Sequence, residues 1–225
     1  MPVLGRRQFL AGSAALWLTA CGEGKGAAQQ TSGQPAGQSG REGASRSTAR
    51  TATPAAAKLI AAARSQIGVT LAYDPAYTSL GFPNGDVPRA KGVCTDVVIR
   101  AYRDALGIDL QALVNADMKA AFGRYPKRWG LTRPDANIDH RRVPNLETFL
   151  TRKGARLPLS TRPQDWQPGD IFTSLVGGKL PHIGIVSERL APGGTPLVVH
   201  NIGAGTQEED ILFAHPLNGH FRWRV

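Results

Sequence analysis

At 225 residues the chain is long enough for one sizeable domain, and 41% hydrophobic with 7% aromatic residues is an ordinary globular composition. A formal net charge of +10 favours an anionic partner, yet no Lys/Arg run, zinc-finger spacing or helix-turn-helix pattern is present, so nucleic acid is not expected. There are two cysteines, Cys21 and Cys94, and the first lies in the N-terminal segment, so counting excludes a disulfide framework in the domain.

Residues 1–21 combine basic Arg6-Arg7 with a short apolar stretch from Phe9 to Ala20. That length suits a signal peptide and falls short of the roughly 20 apolar residues a spanning helix needs. Gly5-Arg6-Arg7-Gln8-Phe9-Leu10 resembles a twin-arginine export signal, and Leu18-Thr19-Ala20-Cys21 resembles the lipobox of bacterial lipoproteins. The second resemblance implies a lipid on Cys21, membrane attachment through it, and a location outside the cytoplasmic membrane. Residues 22–53 are rich in Gly, Ser, Ala, Gln and Thr without periodicity, which predicts a disordered tether.

The folded domain is expected over residues 54–225. Thr53-Pro54 opens a predicted helix that runs to Gly68. A loop rich in Pro, Gly and Tyr follows, then a helix from Val93 to about Ala105 closed by Gly107, then a helix capped by Asp109. A loop-like middle leads to a helix over residues 143–154. From Gln167 the pattern changes to short β-type runs: DIFTSLV, HIGIVSE, PLVVHNI, DILFAH and HFRWRV. Helices first and strands afterwards predict an α+β fold with an antiparallel sheet.

Cys94 falls at the predicted start of a helix, where unpaired backbone N–H groups and the helix dipole favour a thiolate. An activated thiol needs a base, itself oriented by a third group. His182 begins an apolar run and is the candidate base; His200, or Asn201 beside it, is the candidate third group. Strand alternation sends His200 and Asn201 to opposite faces, so only one of them can hold the His182 ring there. Asp96 is spaced to pair with Arg100 within the helix, and Asp86 sits in an Asn-Gly-Asp turn. The run Asp139-His140-Arg141-Arg142 suits either a substrate carboxylate or a structural ion-pair cluster. Trp129, Trp166 and Trp223 read as core, and His215 and His220 as surface or strand positions. No tight His/Cys/Asp/Glu pairing for a metal occurs, and no cofactor is expected.

A Cys-led helix, then Trp166-x-Pro168-Gly169-Asp170, then His182-Ile183-Gly184-Ile185-Val186 and Val198-Val199-His200-Asn201, resembles the order in NlpC-like, papain-fold cell-wall peptidases. The tracts Asp86-Val87-Pro88, Gly92 to Asp96 and Asn137 to Arg142 are similar to an uncharacterised bacterial domain family of the same clan. The resemblance implies a papain-like fold and cleavage of amide bonds in peptidoglycan stem peptides. It implies Cys94 as nucleophile, His182 as base and His200 as orienting residue, with Tyr73 or Tyr77 near the oxyanion. Asp86, Asp139, His140, Arg141 and Arg142 are further substrate-site candidates. Val93-Cys94-Thr95-Asp96 stands where that family usually has Asp-Cys-Ser-Gly. The alternatives are a non-catalytic peptidoglycan-binding lipoprotein, or an acyltransferase or protein-directed cysteine protease on the same fold.

Overall fold

The computed structural model describes residues 49–225; the signal-like segment with Cys21, and the rest of the linker to residue 48, lie outside the described residues. Four helices, α1 (Pro54–Arg64), α2 (Cys94–Leu106), α3 (Leu110–Ala121) and α4 (Val143–Arg152), are accompanied by two short strands, β1 (Ala72–Tyr73) and β2 (Lys91–Gly92). Five further strands follow: β3 (Ile171–Val176), β4 (Leu180–Leu190), β5 (Pro196–Asn201), β6 (Thr206–Glu209) and β7 (Leu217–Phe221). The architecture is α+β, and β3–β7 form one antiparallel sheet in the order β6-β5-β4-β3-β7.

Local chemistry sets the helix ends. Thr53 Oγ1 accepts from Ala56 N at 3.0 Å and Pro54 occupies the first turn of α1. Asp109 accepts from Ala112 N at 3.2 Å to open α3. Gly107 closes α2 in the left-handed conformation, with φ at 65°.

Strand alternation gives the sheet two unlike faces. Ile171, Ile183, Ile185, Val199 and Phe221 point to the helices and pack with Leu59, Val97, Tyr102, Phe149 and Trp223. Phe172, Val186 and Val198 point the other way, under Trp166 and Leu212. Each fully buried large apolar side chain contributes about 1.5–3 kcal/mol.

The apolar run DILFAH, expected as a strand, is a turn segment, and the polar Thr206–Glu209 forms β6 instead. Gly203 and Gly205, both at positive φ, reverse the chain right after β5, so the next four residues are the ones that meet it. The apolar residues then fall beyond the ladder: Leu212 is fully buried across the sheet face, flanked by Ile211 and Phe213.

The Trp166-to-Asp170 tract is an architectural turn. Gly169, at φ 87°, donates to Val186 O at 2.8 Å, and a Cβ there would lie 2.8 Å from the Ala56 methyl. Asp170 accepts from Gln167 N, from His220 Nε2 at 2.7 Å and from Arg222 at 2.7 and 2.8 Å. His220 is accordingly buried, stacked on Trp166 with ring centroids 3.8 Å apart. Ahead of α1, Ala49 bridges Arg189 on β4, and Arg50 N donates to Glu188 O at 2.8 Å. Among the described residues no helix is long and apolar enough to cross a membrane.

Candidate active site

Cys94 is the first residue of α2 and is buried. Asp96 Oδ2 accepts from Val93 N at 2.7 Å, tying back the turn that presents the thiol. Asp96 does not pair with Arg100, as helical spacing predicts, but with Arg141, whose guanidinium reaches both carboxylate oxygens at 2.9 and 2.8 Å. Thr95 Oγ1 donates to Arg141 O at 3.0 Å. Arg141 therefore clamps the first turn of α2 from outside.

Arg100 serves a different segment. It is fully buried and donates to Asp86, Thr70 Oγ1, Val87 O and Lys91 O. Asp86 also pairs with Arg103 at 3.3 Å, so its carboxylate is committed to holding the loop before α2. That loop delivers β1 and β2, whose parallel register sets Tyr73 opposite Gly92, two residues before Cys94.

Tyr73 and Tyr77 separate here. The Tyr73 hydroxyl lies next to the Cys94 thiol, whereas Tyr77 donates to Asp135 at 3.1 Å and accepts from Asn137 at 2.8 Å. Burial, with the thiol and Asp96 adding to it, pushes the Tyr73 phenol well above its usual range, so it stays a donor. The backbone N–H groups of Ile183 and Thr95 lie close to the sulfur.

His182 lies beside that Ile183 N–H. It shares the pleat parity of Phe172 and Val186, so its ring stands on the sheet face away from the helices, edge-on to Phe172 at 5.9 Å. Thiol and imidazole thus approach β4 at residues 182–183 from its two faces, and no hydrogen bond joins them among the described residues. His182 Nε2 lies 3.0 Å from His200 Nδ1, and His200 Nε2 lies 2.9 Å from Glu209 Oε2. Gly184 makes room for the pair: a Cβ there would fall 2.7 Å from the Phe172 ring and 2.9 Å from His200 Cβ. Asn201, on the opposite face from His200, donates to Gly92 O at 3.1 Å and steadies the approach to Cys94.

Burial dominates the electrostatics. It pushes the Cys94 thiol up to about 11 and the His182 ring down to about 3, with the neighbouring His200 and His215 lowering the ring further. His200 is lowered by the same cause, against the pull of Glu209. The sequence reading predicts a thiolate at the helix N-terminus. The neighbouring backbone N–H groups and the Tyr73 hydroxyl act in that direction, but loss of water outweighs them. The resting site therefore holds a neutral thiol and neutral imidazoles.

A cleft of about 260 Å³ opens onto Cys94, lined by Tyr73, Pro75, Arg128, Trp129, Arg141, Arg142 and Pro181 among others. Arg142 lies over the Trp129 ring at 4.1 Å and pairs with Asp139 at 2.9 Å; Arg128 lies 5.8 Å from the same ring. His140 is buried, and its Nδ1 has no partner among the described residues. Trp166 and Trp223 are core, but Trp129 is half-buried and forms a cleft wall. Trp129, Arg128 and Glu209 were not singled out from the sequence as site residues. An Arg-Trp pair in a loop was a usable signal for the first two, but only strand register reveals Glu209.

The fold and site define an α+β domain with a helix-initiating cysteine on a basic cleft and a buried pair of imidazoles on β4 and β5, neither of which lines that cleft. The chain belongs to the family described as Domain of unknown function (DUF1287), whose model matches residues 60–223. A relative, "Uncharacterized protein YijF" of Escherichia coli (strain K12), is 56% identical over 163 residues, covering 72% of this chain and 79% of that protein. Among solved structures, NlpC1 from Trichomonas vaginalis matches with a TM-score of 0.36 and 14% identity, over 80% of this chain. The chain spans 48% of that NlpC1 structure.

Proposed function

We propose that the chain is a papain-like cysteine hydrolase of the cell envelope that cleaves amide bonds in peptidoglycan stem peptides. The observation that carries this reading is the placement of Cys94 at the start of α2, beside Tyr73 and the backbone N–H next to His182, with His200 paired to the His182 ring. In the proposed reaction the Cys94 sulfur attacks the scissile carbonyl while His182 takes the thiol proton. His182 then protonates the leaving amine, and water releases the acyl group from sulfur. With Nε2 engaged by His200, Nδ1 is the ring nitrogen that receives the proton. Catalytic hydrogen bonds are often long in a resting site and tighten only once substrate is bound. Tyr73 and first-turn N–H groups suit the developing oxyanion. Arg128 and Arg142 suit a substrate carboxylate. The resemblance of residues 1–21 to an export signal and a lipobox supports a location outside the cytoplasmic membrane, with Cys21 as the proposed lipid attachment.

The test is incubation of the purified full chain, and of Cys94→Ala, with isolated peptidoglycan, followed by mass spectrometry of soluble fragments. Peptide fragments from the parent and none from the variant are expected, and their masses name the bond. Equal release by both overturns the Cys94 mechanism.

One observation favours a second reading, a peptidoglycan-binding protein without turnover: the thiol is buried, pushed up to about 11, and not bonded to His182. Retention on peptidoglycan by both proteins, with no fragments from either, would establish it.

A further inference from the structure

We propose that Glu209 is a positioning residue that fixes the protons of the imidazole pair and leaves Nδ1 of His182 free to accept one. The inference rests on the hydrolase reading for its consequence, but the proton arrangement itself stands on geometry. In the β5–β6 register Val198 faces Glu209 and His200 faces Gln207, so Glu209 is one ladder step from His200 and on the same side of the sheet. Its Oε2 lies 2.9 Å from His200 Nε2.

The rest follows from counting hydrogens. An ionised carboxylate only accepts, so its bond to His200 requires the hydrogen on Nε2. A neutral imidazole carries one N–H, which leaves Nδ1 of His200 as a lone pair. That Nδ1 sits 3.0 Å from Nε2 of His182, so the hydrogen of this second bond comes from His182. His182 in turn has one N–H, and its Nδ1 is a lone pair. Burial holds both rings neutral, as the count requires.

Without the carboxylate the ring pair has two arrangements that satisfy their shared bond equally. In the second, His200 donates from Nδ1 and His182 carries its hydrogen on Nδ1, where it cannot take a proton from a thiol. The two rings are thus a bistable element, and a half-exposed glutamate at the sheet edge selects the productive state. Its side chain is 47% exposed, so replacing it removes little packing.

The experiment is long-range ¹⁵N–¹H correlation NMR at neutral pH on the full chain, with its five histidines labelled, for the parent, Glu209→Gln and Glu209→Ala. In the parent, His182 and His200 are both expected as Nε2–H tautomers. In Glu209→Ala an Nδ1–H signal of His182 is expected to appear, with kcat on peptidoglycan lower by at least about tenfold and KM unchanged. Glu209→Gln, which can donate as well as accept, is expected to show the same change in part. Parent rings with hydrogen on Nδ1, or Nε2–H tautomers unchanged in both variants, overturn the proposal. The tautomer readout needs no turnover: a shift in the Glu209 variants with no hydrolysis by the parent would sink the hydrolase reading and leave this one standing. Hydrolysis by the parent with unmoved tautomers would do the reverse.

Discussion

Cys94 is a nucleophile candidate whose surroundings protect it from casual reaction. Burial raises its thiol to about 11, about two pH units above the ordinary value, and each unit is tenfold in thiolate population. Its alkylation by iodoacetamide at neutral pH is therefore expected to be roughly 100-fold slower than that of free cysteine, rising with pH until the thiol titrates. A rate equal to free cysteine, followed by mass spectrometry of the modified protein, would show that the thiol is not buried as described. The same burial opposes the thiolate that a helix N-terminus leads one to expect at Cys94. A helix N-terminus is visible as a motif, whereas the desolvation that overrides it depends on what the folded chain stacks over the sulfur.

At the scale of elements, α2 is the part on which the site depends. Its first turn is clamped by Asp96 and Arg141, and its middle by Arg100, which gathers the loop of residues 70–91 around itself. Removing a buried charge partner of this kind typically costs about 3–5 kcal/mol. Arg100→Leu is expected to destabilise the domain by about that amount in urea titration, with a loss of Tyr73 order near Cys94; a cost below about 1 kcal/mol would deny Arg100 this organising part. Four of the helices and most strands were legible because their caps and periodicities are local. Thr53, Asp109 and Gly107 signal their ends directly. The exchange of DILFAH for Thr206–Glu209 was not legible, because apolar content marks burial rather than hydrogen-bond partnership. Leu212 is buried as the lid of a sheet, which looks the same in sequence as burial within one. The pairing of Asp96 with Arg141 rather than Arg100 was hidden for a related reason: the two are 45 positions apart.

At the scale of the whole molecule, buried neutral histidines govern the acid limit. Burial pushes His140 down to about 4 and His182 down to about 3, while an unfolded histidine titrates near 6.5. Between these values the unfolded chain binds more protons than the native one, so stability falls as pH drops through that window and is fully present above it. Each such group steepens the fall by up to about 1.4 kcal/mol per pH unit. Thermal unfolding followed from pH 7 to pH 4 is expected to show a progressive drop in Tm. A Tm that holds constant to pH 4 would mean these rings are solvated in the native state.

The short bridge between Ala49 and β4 has a mechanical meaning as well as a structural one. It fixes the described chain at residue 49 against the strand that also carries His182, ahead of α1. If Cys21 holds the lipid, as proposed, residues 22–48 can extend no further than roughly 100 Å. The cleft would then sweep a thin shell above the lipid surface, and only polymer lying inside that shell would ever meet the thiol.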